Sequence, residues 1–156
     1  MNWLMIVLRL VHIGGGAMWV GMMAFMTLYL TPALNDVGPD AAKVMQALQK
    51  QKIMIVMPVI ALLTILSGLW MMSRLYAGPS DFSRSRFGMA LNVGALSAII
   101  AFLIGVVVMR PLMVKSMTTK DPAEAQKLRA RGATLSKWVT RLLMLALGAM
   151  AVGRYL

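Results

Sequence analysis

Four apolar runs dominate the chain, at about residues 3–30, 53–73, 87–109 and 138–156. Each is long enough to cross a bilayer as a helix, since about 18 or more apolar residues span the hydrocarbon. Between them lie short polar stretches with turn and helix-start residues. Pro32 marks the exit of the first span, and Asn35, Asp36 and Gly38 read as a turn. The segment Asp40 to Lys52 sets Ala41, Val44, Met45 and Leu48 on one face and lysines on the other. That pattern predicts a short amphipathic helix at the headgroups. Pro58 should bend the second span without ending it. Ala77 to Ser80 reads as a turn, and Arg110-Pro111 should close the third span. Asp121-Pro122 is a helix start, with an acid at the cap and proline in the first turn. A polar helix from Glu124 to Lys137 should therefore run without a break into the fourth span. The expected fold is all-α: one integral membrane four-helix bundle with an amphipathic cytoplasmic segment and a fourth helix extended into the cytoplasm. A single transmembrane domain fills the chain.

Helical spacing places the polar residues of the spans. In the first, Met5, Arg9, His12, Gly16, Trp19, Met23 and Met26 alternate steps of four and three and share a stripe. Ionisable groups inside a span face the bundle interior, so this stripe is expected to point inward. Similar stripes are Met57, Ile60, Thr64, Ser67, Met71 and Arg74 in the second span, and Gly88, Asn92, Ala95, Ile99 and Phe102 in the third. Trp138, Arg141, Leu145, Gly148, Val152 and Tyr155 form the fourth, with Arg154 one position off it.

Composition narrows the function classes. Of the 156 residues 60% are apolar, against about 45–50% for a soluble chain. There is no cysteine, which excludes disulfides, iron–sulfur clusters and thiolate zinc sites. The formal charge of +11 does not point to nucleic acid, because the basic residues flank apolar spans. There they set topology and meet anionic headgroups. Lys43, Lys50, Lys52, Arg110, Lys115, Lys120, Lys127, Arg129, Arg131 and Lys137 gather on the side of the two long connections. That side should be cytoplasmic in a bacterial-type inner membrane, with both termini outside. The first span has no basic stretch ahead of it and Arg9 inside it, so it is read as a retained helix and not a signal peptide.

With that topology Arg9, His12, Arg74, Asn92, Arg154 and Tyr155 share the outer half. His12 is the only histidine. Imidazole binds haem iron or copper, Gly16 leaves room for a flat ring, and arginines pair with propionates. The packing alternative is a His12 that bonds a neighbouring helix, beside glycines that let helices approach. Seventeen methionines include the ladders Met18, Met22, Met26 and Met109, Met113, Met117. Thioethers suit Cu(I), so His12, Met22 and Met26 are candidate metal ligands, although methionine is also a common apolar filler. All five acids lie in connections. A membrane carboxylate for proton coupling and Ser/His/Asp chemistry are therefore both missing, and no catalytic residue is assigned.

The stretch RLVHIGGGAMWVG, Arg9 to Gly21, resembles the opening of the copper-resistance-D-like superfamily. That group includes copper-resistance D membrane proteins and protoporphyrinogen oxidases of the HemJ type. The shared pattern is a basic residue, then histidine, then Trp19-Val20-Gly21, and a proline-containing exit at Thr31 to Leu34. GPDAAKVMQAL, TILSGLW and AMAVGRYL look closest to its small uncharacterised branch. The resemblance implies a four-helix bundle with His12 as a ligand of b-type haem or, second, copper, in electron transfer or haem handling. A HemJ-type protein carries a further histidine after the exit, where this chain has Asn35-Asp36. Any enzyme activity implied would be that of a haem-dependent membrane oxidoreductase. Two other readings stay open: an accessory subunit without cofactor, packed in a larger membrane complex or homodimer, and a Cu(I) conduit.

Overall fold

The computed structural model describes residues 2–78, 82–153 and 155. Among them the chain is an all-α bundle. It comprises α1 (Trp3–Val37), α2 (Ala41–Lys50), α3 (Ile53–Tyr76), α4 (Arg86–Thr118) and α5 (Pro122–Gly153). All but α2 are long and apolar enough to cross a membrane. A helix satisfies its own backbone polar groups, which is why apolar runs of this length fold as helices in lipid. α1 packs along α3 and α4 along α5, and the two pairs close on one another. The core is thin, with Trp19, Ala61, Ala101, Val139 and Leu143 at its centre. Most large apolar side chains face outward, where lipid would cover them.

Two helices run further than their prolines predict. α1 continues through Pro32 to Val37, and α4 continues through Pro111 to Thr118. A proline lacks an N–H, and its ring strikes the carbonyl four residues back in a regular α-helix. Here a π-helical turn precedes each proline, at Met26–Leu30 and Ile104–Met109. In these wider turns Thr31 N–H bonds Met26 O and Arg110 N–H bonds Gly105 O, five residues back. The Thr31 hydroxyl also donates to the Met26 carbonyl at 2.7 Å. The expected exit at Pro32 and closure at Arg110-Pro111 are therefore both corrected to helix. Gly38, at φ +67°, is what ends α1. With about 1.5 Å of rise per residue, α1, α4 and α5 are each roughly 50 Å long. A hydrocarbon core is about 30 Å thick. Their ends therefore stand clear of it on the side of the long connections.

The amphipathic segment forms as α2, with Met45 and Leu48 half-buried and Val44 exposed. α3 is continuous through Pro58. α5 begins as expected: the Asp121 carboxylate accepts Ala123 N–H at 2.9 Å, and the helix is unbroken through Gly132 into the last span. Glu124 pairs with Lys115 at 2.8 Å and accepts the Thr119 hydroxyl at 3.0 Å. The Lys115 hydrogen bond, then that of Thr119, holds this carboxyl below the ordinary carboxylate range.

The inward faces of α4 and α5 differ from the expected ones. In α5 the buried stripe is Ser136, Val139, Thr140, Leu143, Ala146 and Gly153. Trp138, Leu145, Val152 and Tyr155 are exposed, and the Arg141 guanidinium lies 5.0 Å from the Trp138 ring centre on the outer face. In α4 the fully buried residues are Gly88, Gly94, Ser97 and Ala101. Of the expected set Gly88 is buried, Ala95, Ile99 and Phe102 are half-buried with Phe102 packed on the core, and Asn92 is exposed. Close approach decides this. A Cβ at Gly94 would meet the Met150 side chain at 3.1 Å, and one at Gly153 would meet Ala90 at 2.9 Å.

A buried hydroxyl cluster joins the pairs. Thr27, in the π-turn of α1, lies 2.5 Å from the Ser136 hydroxyl and 2.9 Å from that of Thr140. Replacing Thr140 by Val should remove this interhelical bond at a cost of about 1 kcal/mol, the scale of such bonds in membranes. The apparent melting temperature of the detergent-solubilised protein should then fall by about 3 °C.

Candidate functional site at His12

The α1 stripe does turn inward along most of its length. His12 and Gly16 are half-buried and Trp19 is buried, standing edge-on to Phe102 with ring centres 6.5 Å apart. Opposite them on α3 stand Thr64, Ser67 and Gly68. His12 Nδ1 lies 2.8 Å from the Thr64 carbonyl oxygen. A carbonyl only accepts, so Nδ1 carries the proton. In the neutral ring Nε2 then keeps a lone pair. The Ser67 hydroxyl donates to the Leu63 carbonyl at 2.7 Å and shares its proton with the Thr64 carbonyl at 3.0 Å. The Thr64 hydroxyl is committed to the Ile60 carbonyl at 2.8 Å. This arrangement fixes the tautomer and the plane of the imidazole.

Three glycines make the bond possible. A Cβ at Gly68 would stand 2.5 Å from His12 Cε1 and 2.8 Å from Nδ1, so the ring rests directly on the α3 backbone. At Gly15 a Cβ would collide with the Thr64 hydroxyl, and at Gly16 it would touch Thr64 Cγ2 at 3.6 Å. The space these glycines leave is thus filled by Thr64. The flat slot beside Gly16 expected for a ring ligand is not there.

The remaining candidates do not converge into one pocket. Arg9 and Arg74 are exposed. Each follows His12 or its partner Gly68 toward the end of the bundle that bears the short α3–α4 connection. Asn92 is exposed, and its side-chain oxygen accepts the Tyr76 hydroxyl at 2.5 Å. Tyr76 in turn packs on Phe82, with ring centres 5.6 Å apart. Tyr155 is 86% exposed beyond the end of α5. Arg154 lies outside the described residues. Met22 and Met26 are half-buried on α1. They sit ten and fourteen residues past His12, about 15 and 21 Å along the axis. Metal–ligand bonds are about 2 Å, so neither methionine shares an ion with His12. Among the described residues no group of three or more His, Cys, Asp or Glu could hold a metal. Gly68 and the Thr64 carbonyl are the partners that reading by side-chain polarity misses. The run Thr64-x-x-Ser67-Gly68, which supplies hydroxyls beside a small residue, is the signal that could have found them.

Compared with known proteins, the chain matches no family model, no curated protein and no solved structure.

Gly68→Ala should push the imidazole off its carbonyl and cost about 1–3 kcal/mol, as overpacking does. In a His12→Ala background the same methyl should cost under about 0.5 kcal/mol, because the ring it strikes is gone. A double-mutant cycle of thermal unfolding in detergent reads the difference.

Proposed function

We propose that this chain is a small multi-pass membrane protein that offers His12 Nε2 as an axial ligand to b-type haem, in electron transfer or haem handling. The observation that carries the reading is the Nδ1–H bond to the Thr64 carbonyl. Histidines that bind metals regularly donate their other ring N–H to a carbonyl or carboxylate, which orients the ring and raises its basicity. Haem bound there would supply a one-electron iron couple. The seam itself has no slot for a porphyrin, since Thr64 fills it. The ring system would therefore belong at the edge of the α1–α3 pair, with the exposed Arg9 and Arg74 available to propionates at the same end. His12 would be the one histidine to hold the iron, and a methionine, a water or a second protomer would have to supply any further ligand. Copper is the other metal that this nitrogen suits. Membership of the copper-resistance-D-like group is part of the same proposal. So is the topology: by the basic-residue rule the long connections face the cytoplasm of a bacterial-type inner membrane and both termini face out.

The filled seam favours a second reading. There His12 is purely an interhelical tie, and the chain is an accessory subunit without cofactor in a larger membrane complex. The absorption spectrum and metal content of gently extracted protein separate the two. The haem reading expects a Soret band that His12→Ala abolishes while Met22→Leu leaves it. A colourless, metal-free preparation that travels with a larger assembly contradicts it.

A further inference from the structure

A second feature lies away from His12. Near the short connection, α4 and α5 leave between them an outward-facing groove of about 540 Å³. Ala90 and Val93 line it from α4, Leu145, Gly148 and Val152 from α5, and Arg86 closes one end. Gly148 leaves open space on its floor, since a Cβ there would meet nothing within 4 Å. The walls are apolar and open, with Val93, Leu145 and Val152 about half exposed. Along α4 the groove extends seven residues from Arg86 to Val93, about 10 Å of rise. Among the described residues Arg86 makes no ion pair. It stands at the first position of a long helix, where the backbone dipole also favours an anion.

We infer that this groove seats one anionic phospholipid, its phosphate at Arg86 and an acyl chain between α4 and α5. Charge complementarity selects that occupant: Arg86 and, two residues before it, the exposed Arg84 sit at the end of the span, and below them lies an apolar trough with no polar group to register a partner helix. Basic positions at span ends hold anionic headgroups in this way. The site is on the opposite end of the bundle from the lysine-rich connections and does not depend on any cofactor at His12.

Native mass spectrometry of the detergent-extracted full chain, with equal phosphatidylglycerol and phosphatidylcholine added, tests it. The wild type should retain one phosphatidylglycerol about fivefold over phosphatidylcholine, the scale of one arginine at the membrane surface. Arg86→Gln should level the two lipids, and Gly148→Leu, which fills the trough, should lose both. Equal retention of the two lipids by the wild type, or unchanged retention in both variants, overturns the proposal. So does a wild-type dimer that Gly148→Leu dissociates, because the groove would then hold a second copy.

Discussion

The hydrogen bond from His12 Nδ1 to the Thr64 carbonyl organises the α1–α3 half of the bundle. Inside a span every backbone carbonyl already serves its own helix, and its remaining lone pair is all that a second helix can reach. To reach it, an imidazole must come down onto the partner's backbone. Gly68 permits that approach, and Gly15 and Gly16 let Thr64 fill the space on the α1 side. The seam that results is close and specific in register. Apolar contact alone would not supply this, since lipid tails are as apolar as leucine and give helices little reason to choose a face.

The α4–α5 half uses other means to the same end. Met150 lies over Gly94, Gly153 admits Ala90 and Phe87, and the hydroxyls of Ser136 and Thr140 reach across to Thr27. Thr27 belongs to the π-turn that lets α1 pass Pro32. One local widening thus serves two purposes: it accommodates a proline and sits beside the buried polar contact between the two helical pairs. α4 repeats the widening before Pro111, so both helices that enter the long connections carry the same device. They extend past the hydrocarbon as continuous helices, and the Lys115–Glu124 pair ties the last of α4 to the first turns of α5.

Much of this was legible in the residues. Four spans, the amphipathic α2, the start at Asp121-Pro122 and the inward stripe of His12, Gly16 and Trp19 all follow from hydropathy and helical spacing. The failures share a physical origin. Pro32 and Pro111 read as stops because a π-turn has no side-chain signature. The expected α5 face, and Asn92 on that of α4, fail because side-chain polarity is a poor guide to the inward side. Arg141 has an alternative on the lipid side, over the Trp138 ring, and small residues such as Gly94, Ala146 and Gly153 decide which face packs. The outer cluster expected from Arg9, Arg74, Asn92 and Tyr155 shares a depth without sharing a pocket. Helical spacing fixes height along the bundle, whereas rotation about each axis depends on neighbours that the sequence does not reveal.

The central claim is that the Thr64 carbonyl holds His12 as the Nδ1–H tautomer and leaves Nε2 with a free lone pair. Nitrogen NMR of protein labelled at histidine tests it directly, because the chain has a single imidazole to observe. In the neutral ring Nδ1 should be protonated and Nε2 unprotonated, with the pattern lost when Gly68→Ala displaces the ring. A ring protonated at Nε2, or one exchanging between tautomers as free histidine does, would contradict it.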